Sequence, residues 1–254
     1  TTGTTAFVIA LTATSVGTAS AIVNITSNDC TNPTYSFVIT ASTTPASALR
    51  LDGVNDFVDI AHTSTLNAFP ITVETWVKTN YTSSSVRAAI LSKYAQGSGN
   101  GWSIHVFNSK IDAYYFKDPS NHIPAPITTT FNVADNNWHH VALVVDNSGG
   151  RIYIDGALAS AVSSWSGTAG APTSTNNLQM GLTGPWYLPA QIDEVRIWNV
   201  ARSQCEIQTY MGAEITSTAS GLVANYHFNQ GIPSGSNTGV TTLIDAAGAN
   251  TGTL

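Results

Sequence analysis

Apolar and polar residues alternate with period two along most of this chain, in short runs separated by clusters of Gly, Asn, Ser, Thr and Pro. That rhythm predicts strands, because successive side chains of a strand point to opposite faces of a sheet. The runs "TAFVIALTAT" (5–14), "GTASAIVNITS" (17–27) and "TYSFVITAS" (34–42) predict three strands. Three strands cannot close a two-sheet core, so residues 1–45 are expected to be part of a domain. A linker, "STTPAS" (42–47), follows, in which Pro45 interrupts any continuing strand. Beyond it come roughly a dozen strand candidates, from "ALRLDG" and "ITVETWVKT" to "AQIDEVRIWN" and "LVANYHFN", at the turn spacing of a sandwich or jelly roll. One helix interrupts them, "ARSQCEIQTYM" (201–211), where Ser203 and Glu206 have the spacing of a capping box. The predicted class is all-β.

The stretch "WHHVALVVDNSGGRIYIDG" (138–156) holds two adjacent histidines. His139 and His140 must face opposite sides of a strand and cannot share an ion without distortion. Both faces of the run after them are apolar, which predicts a strand covered on both sides, with "NSGG" as the turn of a hairpin. The histidines are read as hydrogen-bonded sandwich residues.

"ALRLDGVNDFVDIAHTSTLNAFPITVETWVK", "WHHVALVVDNSGGRIYIDGALAS" and "IDEVRIWNVARSQCEIQTYM" resemble, in order and spacing, the opening, middle and closing blocks of the laminin-G-like, concanavalin A-type jelly rolls of bacterial secreted and surface proteins. The stretch "VNITSNDCTNPTYSFVITAS" resembles the last hairpin of immunoglobulin-like repeats. These resemblances imply the C-terminal part of an immunoglobulin-like domain at 1–45, a laminin-G-like jelly roll at 46–215, and a tail strand leading into a following segment at 216–254. Both ends are expected to be cut from something longer.

Composition narrows the partners. Charged residues are only 9% of the 254, the surface is rich in hydroxyls and amides, and the net charge is −6. A secreted or cell-surface protein is expected. The nine basic residues are scattered singly, which argues against nucleic acid, and no apolar run is long enough for membrane insertion as a helix. Cys30 and Cys205 fall in different predicted domains and have no metal-site spacing.

Among candidate sites, a glycoside hydrolase on this jelly roll would need paired carboxylates on one strand face. The four glutamates, Glu74, Glu194, Glu206 and Glu214, are too widely spaced for that pattern, and no Gly-x-Ser-x-Gly elbow occurs. No catalytic residue is assigned, and the chain is read as a non-enzyme. Calcium is the one cofactor considered: Asp52, Asn55 and Asp56 share the "LDGVNDF" turn, and the resemblance implies that Asp193, on the closing strand, lies beside Asp52. The alternative is that Asp52 and Asp56 only close their own turn. For ligand contact, Trp186 and Tyr187 in the loop "TGPWYLP" come first, then Tyr115, Asn121 and His122 around "YYFKDPSNH". Trp76 and Trp138 are read as core. The family implies a non-catalytic binding or adhesion module with a glycan or a surface protein as partner, alongside neighbouring domains of the same chain. A ligand-free spacer or stalk segment is the rival reading, and a hydrolase the third.

Overall fold

The structure is a computed structural model that describes residues 17–26, 34–43 and 47–254, except 95, 125, 216–218 and 233–234. The predicted strand at 5–14 and Cys30 lie outside the described residues. The chain divides into two compact units, Thr1–Ala46 and Ser47–Leu254. In the first, β1 (Gly17–Thr26) and β2 (Thr34–Thr43) pair antiparallel from Gly17↔Thr43 to Thr26↔Thr34.

The second unit carries, in chain order, β3 (Leu49–Asp52), β4 (Val58–Ile60), β5 (Ile71–Thr79), β6 (Ala88–Ser92), β7 (Gly101–Phe107), β8 (Lys110–Asp118), β9 (Asn121–His122) and β10 (Ile127–Thr128). There follow β11 (Trp138–Asp146), β12 (Gly149–Ile154), β13 (Ala157–Val162), β14 (Leu178–Met180), β15 (Leu182–Thr183), β16 (Trp186–Tyr187) and β17 (Pro189–Trp198). Helix α1 (Gln204–Tyr210), β18 (Leu222–Tyr226), β19 (Thr242–Leu243) and β20 (Gly252–Thr253) complete it.

These strands build two large antiparallel sheets, the sandwich of a concanavalin A-like jelly roll. The smaller runs β13-β12-β11-β5-β17-β18, with β3 also on β17; the larger runs β10-β8-β7-β6-β14-β4-β20-β19, with β9 on β8. Alternation fills the space between them: Val73 and Val77, Val141, Leu143 and Val145, and Ile192 and Ile197 from one sheet meet Ile104, Ile111, Tyr115 and Met180 from the other. The opposite parity of β11 is covered too, since Ala142 and Val144 pack with Tyr153 under Ile207 of α1. That second layer makes β11 buried on both faces. Helix α1 starts at the predicted capping box, where the Ser203 Oγ accepts from the Glu206 N–H and the Glu206 Oε2 accepts from the Ser203 N–H at 2.7 Å.

The two histidines sit as the alternation requires. His139 lies between Asp155 (Nδ1, 2.9 Å) and Asp135 (Nε2, 3.1 Å), while His140 turns to the other face, 3.4 Å from Glu74. Asp155 and Gly156 have φ of 50° and 75° and make the two-residue turn from β12 to β13.

The described residues of 216–254 pack into both sheets. β18 extends the smaller sheet beside β17, β20 pairs with β4 in the larger one, and Asp245 and Asn250 bond back to Asn225 and Val223. The exposed edges of β17 and β4 each need a hydrogen-bonding partner, and this segment supplies both. No helix among the described residues is long and apolar enough to cross a membrane.

Candidate functional site

The aspartates chosen for calcium do not converge. β3 and β17 pair, but antiparallel, with Asp52 opposite Pro189 and Leu49 opposite Ile192. Asp193 therefore falls beyond the far end of β3, opposite Trp76 of β5. At ~3.3 Å per residue the four-residue offset puts Asp52 about 13 Å from Asp193. The Asp52 Oδ1 accepts from the N–H groups of Val54 (2.7 Å) and Asn55 (3.4 Å), and the Asp56 Oδ2 accepts from the Asp52 N–H (3.0 Å). These bonds, the Val54 N–H first, hold the Asp52 carboxyl below its usual range. Asp52 and Asp56 close their own turn and do not form one ligand set with Asp193. Among the described residues, Glu194, Glu214 and His227 bring ligand atoms within 4.8 Å of one another, but the Arg196 guanidinium already sits 2.6 Å from Glu194 and competes with any cation there.

The ligand candidates fall in three places. Trp186 and Tyr187 form β16, paired with β15; Trp186 is 38% exposed and Tyr187 packs against Phe57 at 6.2 Å. Asn121 and His122 form β9. The Asn121 Oδ1 accepts from the Thr168 N–H (2.6 Å) and its Nδ2 donates to Asp118, tying the turn after β8 to a neighbouring loop. Tyr115 is a core residue rather than a rim residue: it is fully buried, its ring packs against Phe69 and Trp165, and its hydroxyl lies 3.4 Å from the carbonyls of Ala68 and Gly170. On β8 the odd positions 111, 113 and 115 face the core. The even positions 112, 114 and 116 face outward.

That outward side of the larger sheet carries a feature of which the sequence reading reached only His122. Tyr94, Tyr114 and Phe116 stand with centroids 5.5–6.5 Å apart and planes within 22° of one another. His122 continues the row, 5.1 Å from Phe116. All four rings are half-buried. The register explains the gap that Tyr94 fills: Phe116 pairs with Gly101, which has no side chain, and the φ of Gly101 is 116°. Tyr94 itself is brought in by the chain leaving β6.

Polar groups border the rings. Arg87 lies 4.0 Å over the Phe107 ring and 5.8 Å over Tyr114, and its Nε donates to Asp112 at 2.8 Å. Beneath, Ser103 pairs with Tyr114 and His105 with Asp112 in the β7–β8 register. The Ser103 Oγ, His105 Nδ1, Asp112 Oδ1 and His122 Nδ1 are buried polar atoms with no hydrogen-bond partner among the described residues. Burial, then the Arg87 charge, pushes His105 down to about 3, so its ring stays neutral. At the other end of the row the Asp118 carboxyl is held low by its bond from Asn121. A half-buried cluster of mutually stacked rings, with a guanidinium on one side and a carboxylate on the other, offers aromatic surface and polar groups to a ligand. That Tyr114 and Phe116 share one face was readable from β8 alone; which face that is, and the arrival of Tyr94, were not.

Comparison with known proteins follows the same fold. Residues 52–208 match the family model Laminin_G_3, described as the concanavalin A-like lectin/glucanases superfamily. No curated protein matches the chain. A protein from Bacteroides ovatus described as a candidate carbohydrate binding protein superposes with a TM-score of 0.65 at 16% identity, over 92% of this chain and 66% of that one. The binding domain of Paraclostridial mosquitocidal protein 1 gives a TM-score of 0.52 at 14% identity, over 69% of this chain and 48% of that one. The binding domain of botulinum neurotoxin DC, in complex with SialylT, gives 0.51 at 12%, over 77% and 46%. The chain thus spans under two thirds of each of these structures' length, and at such identities the likeness shows the fold.

Proposed function

The chain belongs to the concanavalin A-like lectin/glucanases superfamily as a Laminin_G_3 domain, and from that premise we propose that it is a non-catalytic binding module that takes glycan on the outer face of its larger sheet. The observation that carries the reading is the strip of Tyr94, Tyr114, Phe116 and His122, whose planes run nearly parallel across the first three. A sugar ring would pack against the open side of this cluster, and Arg87 and the Asp118–Asn121 turn would bond the hydroxyls around it. Binding domains and a candidate carbohydrate binding protein among the structural neighbours support the class of function. The charge-poor, hydroxyl-rich composition supports a secreted or cell-surface setting.

The test is affinity electrophoresis and pull-down of the full chain against a panel of soluble and insoluble polysaccharides. At least one should retard the protein, and Tyr114→Ala or Phe116→Ala should weaken that binding about tenfold, the worth of roughly 1.4 kcal/mol of stacking. No retention on any polysaccharide, or retention unchanged in both variants, refutes the reading.

A further inference from the structure

The outward face of the larger sheet is unevenly charged. Its positions along β8 run from Lys110 through Asp112, Tyr114 and Phe116 to Asp118, and Lys110 pairs directly with Phe107 of β7. Arg87, the residue before β6, reaches over the same end: its guanidinium carbon lies 4.0 Å from the Phe107 centroid and 5.8 Å from that of Tyr114. On β6, β7 and β8 the end toward the β7–β8 turn thus holds two cations against one carboxylate, that of Asp112, in a chain whose net charge is −6. Asp118 lies six residues further along β8, about 20 Å away at ~3.3 Å per residue.

Arg87 is held in place and only partly used. Its Nε donates to the Asp112 Oδ2 at 2.8 Å, and the Asp112 side chain is 1% exposed while that of Arg87 is 36% exposed. The anchor is buried and the fork is open. The Phe107 ring beneath the guanidinium fixes its plane. Neither Nη group has a hydrogen-bond partner among the described residues, and neither is a buried atom, so both meet solvent. An anchored guanidinium with both Nη groups open matches a planar carboxylate, which pairs with it through two parallel hydrogen bonds.

Three kinds of occupant differ in what they leave unmet. A neutral sugar would use an Nη donor and leave the surplus charge of this end uncompensated. A small free carboxylate would meet the charge and leave Tyr114 and Phe116 uncovered. A polymer acidic at every residue would bring negative charge up to Asp118, whose carboxylate repels it. We propose that the glycan taken on this face carries an isolated carboxylate, as a uronic acid residue does, which bonds the Arg87 Nη groups beside Lys110 while a neutral neighbouring sugar lies against Tyr114 and Phe116. This rests on the reading of the face as a glycan site; it adds the class of sugar and its direction, acidic residue toward the β7–β8 turn and neutral residues toward Asp118.

The test is affinity electrophoresis of the full chain in glucuronoxylan and in hyaluronan, which space their carboxylates between neutral sugars, each against the same polymer with its carboxyl groups reduced to alcohols. At least one acidic polymer should bind about tenfold tighter than its reduced form, the worth of one charge-assisted pair. In Arg87→Gln that ratio should fall below about twofold, and it should shrink as salt is raised from about 0.05 M to about 0.5 M. Phe116→Ala should weaken both forms and keep the ratio, since it alters the rings and not the fork. Thermal melts establish that each variant folds; should Arg87→Gln fail to fold, a ratio unchanged by both Lys110→Gln and salt overturns the proposal. So does a tenfold ratio retained in folded Arg87→Gln. Retention on neutral polysaccharides with equal affinity for acidic and reduced forms overturns this inference alone, whereas no retention on any polysaccharide overturns the glycan reading with it. A larger gain for dextran sulfate over dextran than for either carboxylated pair would assign the fork to a sulfate ester and overturn the carboxylate.

Discussion

Replacing Tyr115 by alanine removes a fully buried ring wedged between Phe69 (6.4 Å) and Trp165 (5.7 Å) in the main core. Truncating a buried aromatic to alanine costs about 3–5 kcal/mol, the transfer of the ring plus the cavity it leaves. For a domain of this size each kcal/mol lowers Tm by about 2–4 °C, so a drop of roughly 6–20 °C follows. The next residue along β8 should behave oppositely. Phe116 is half-buried on the outward face, and its truncation should cost about 1 kcal/mol because part of the ring already meets water. Urea unfolding at fixed temperature, with the slope checked for constancy, measures both variants on one scale. Tyr115→Ala should keep its polysaccharide affinity per folded molecule, and Phe116→Ala should lose only about 1 kcal/mol of stability while losing affinity. If the two variants lost equal stability, or if Tyr115→Ala cost under about 1 kcal/mol, the assignment of strand faces, and with it the aromatic strip, would be refuted.

Two further outcomes follow from single groups. Burial, against the Glu194 N–H and with the Glu194 charge adding to it, pushes the Asp193 carboxyl up to about 6. The folded state then holds a proton that the unfolded chain has released, so stability should fall as pH rises from about 4 to about 6. The ceiling is about 3 kcal/mol, and solvent screening at a partly open cleft reduces it to roughly 1–2 kcal/mol. Asp193→Asn keeps an acceptor for the Glu194 N–H and should gain that much relative to the parent between pH 4 and pH 7.5; equal differences at both pH values in urea melts would sink this account. Gly149 has a φ of 123° in the β11–β12 turn, and a Cβ there would collide with the Val162 carbonyl. Gly149→Ala should cost about 2 kcal/mol or more by thermal melt, and a change below about 0.5 kcal/mol would contradict it.

Local pattern was enough for much of the fold. Period-two alternation marked the strands because each side chain's face depends only on parity, and Ser203 with Glu206 marked the helix start because a capping box closes within four residues. The covering of both faces of β11 and the separation of His139 from His140 were legible for the same reason, and so were the Asx bonds of Asp52 as one of two alternatives. What parity could not supply was its phase. The pattern points to Tyr115, whereas Tyr114 and Phe116 face outward, since one residue's shift exchanges core for surface. Trp138 looked like core because its neighbours are apolar, yet it stands on the open half of an outer face that α1 covers only in part.

The sequence by itself therefore determined long strands such as β5, β8, β11 and β17, the hairpin turn after β11, the helix cap and the family to which they belong, all of them consequences of residues close along the chain. Tertiary structure alone decided which side chains share a surface: Tyr94 from the end of β6 beside Phe116 of β8, Glu214 from beyond α1 beside the bulge that β17 makes at Glu194, and Asp52 some 13 Å along the β3–β17 ladder from Asp193. Sheet register and the position of a bulge set those neighbours, and both depend on pairing between strands far apart in sequence, where local alternation carries no information.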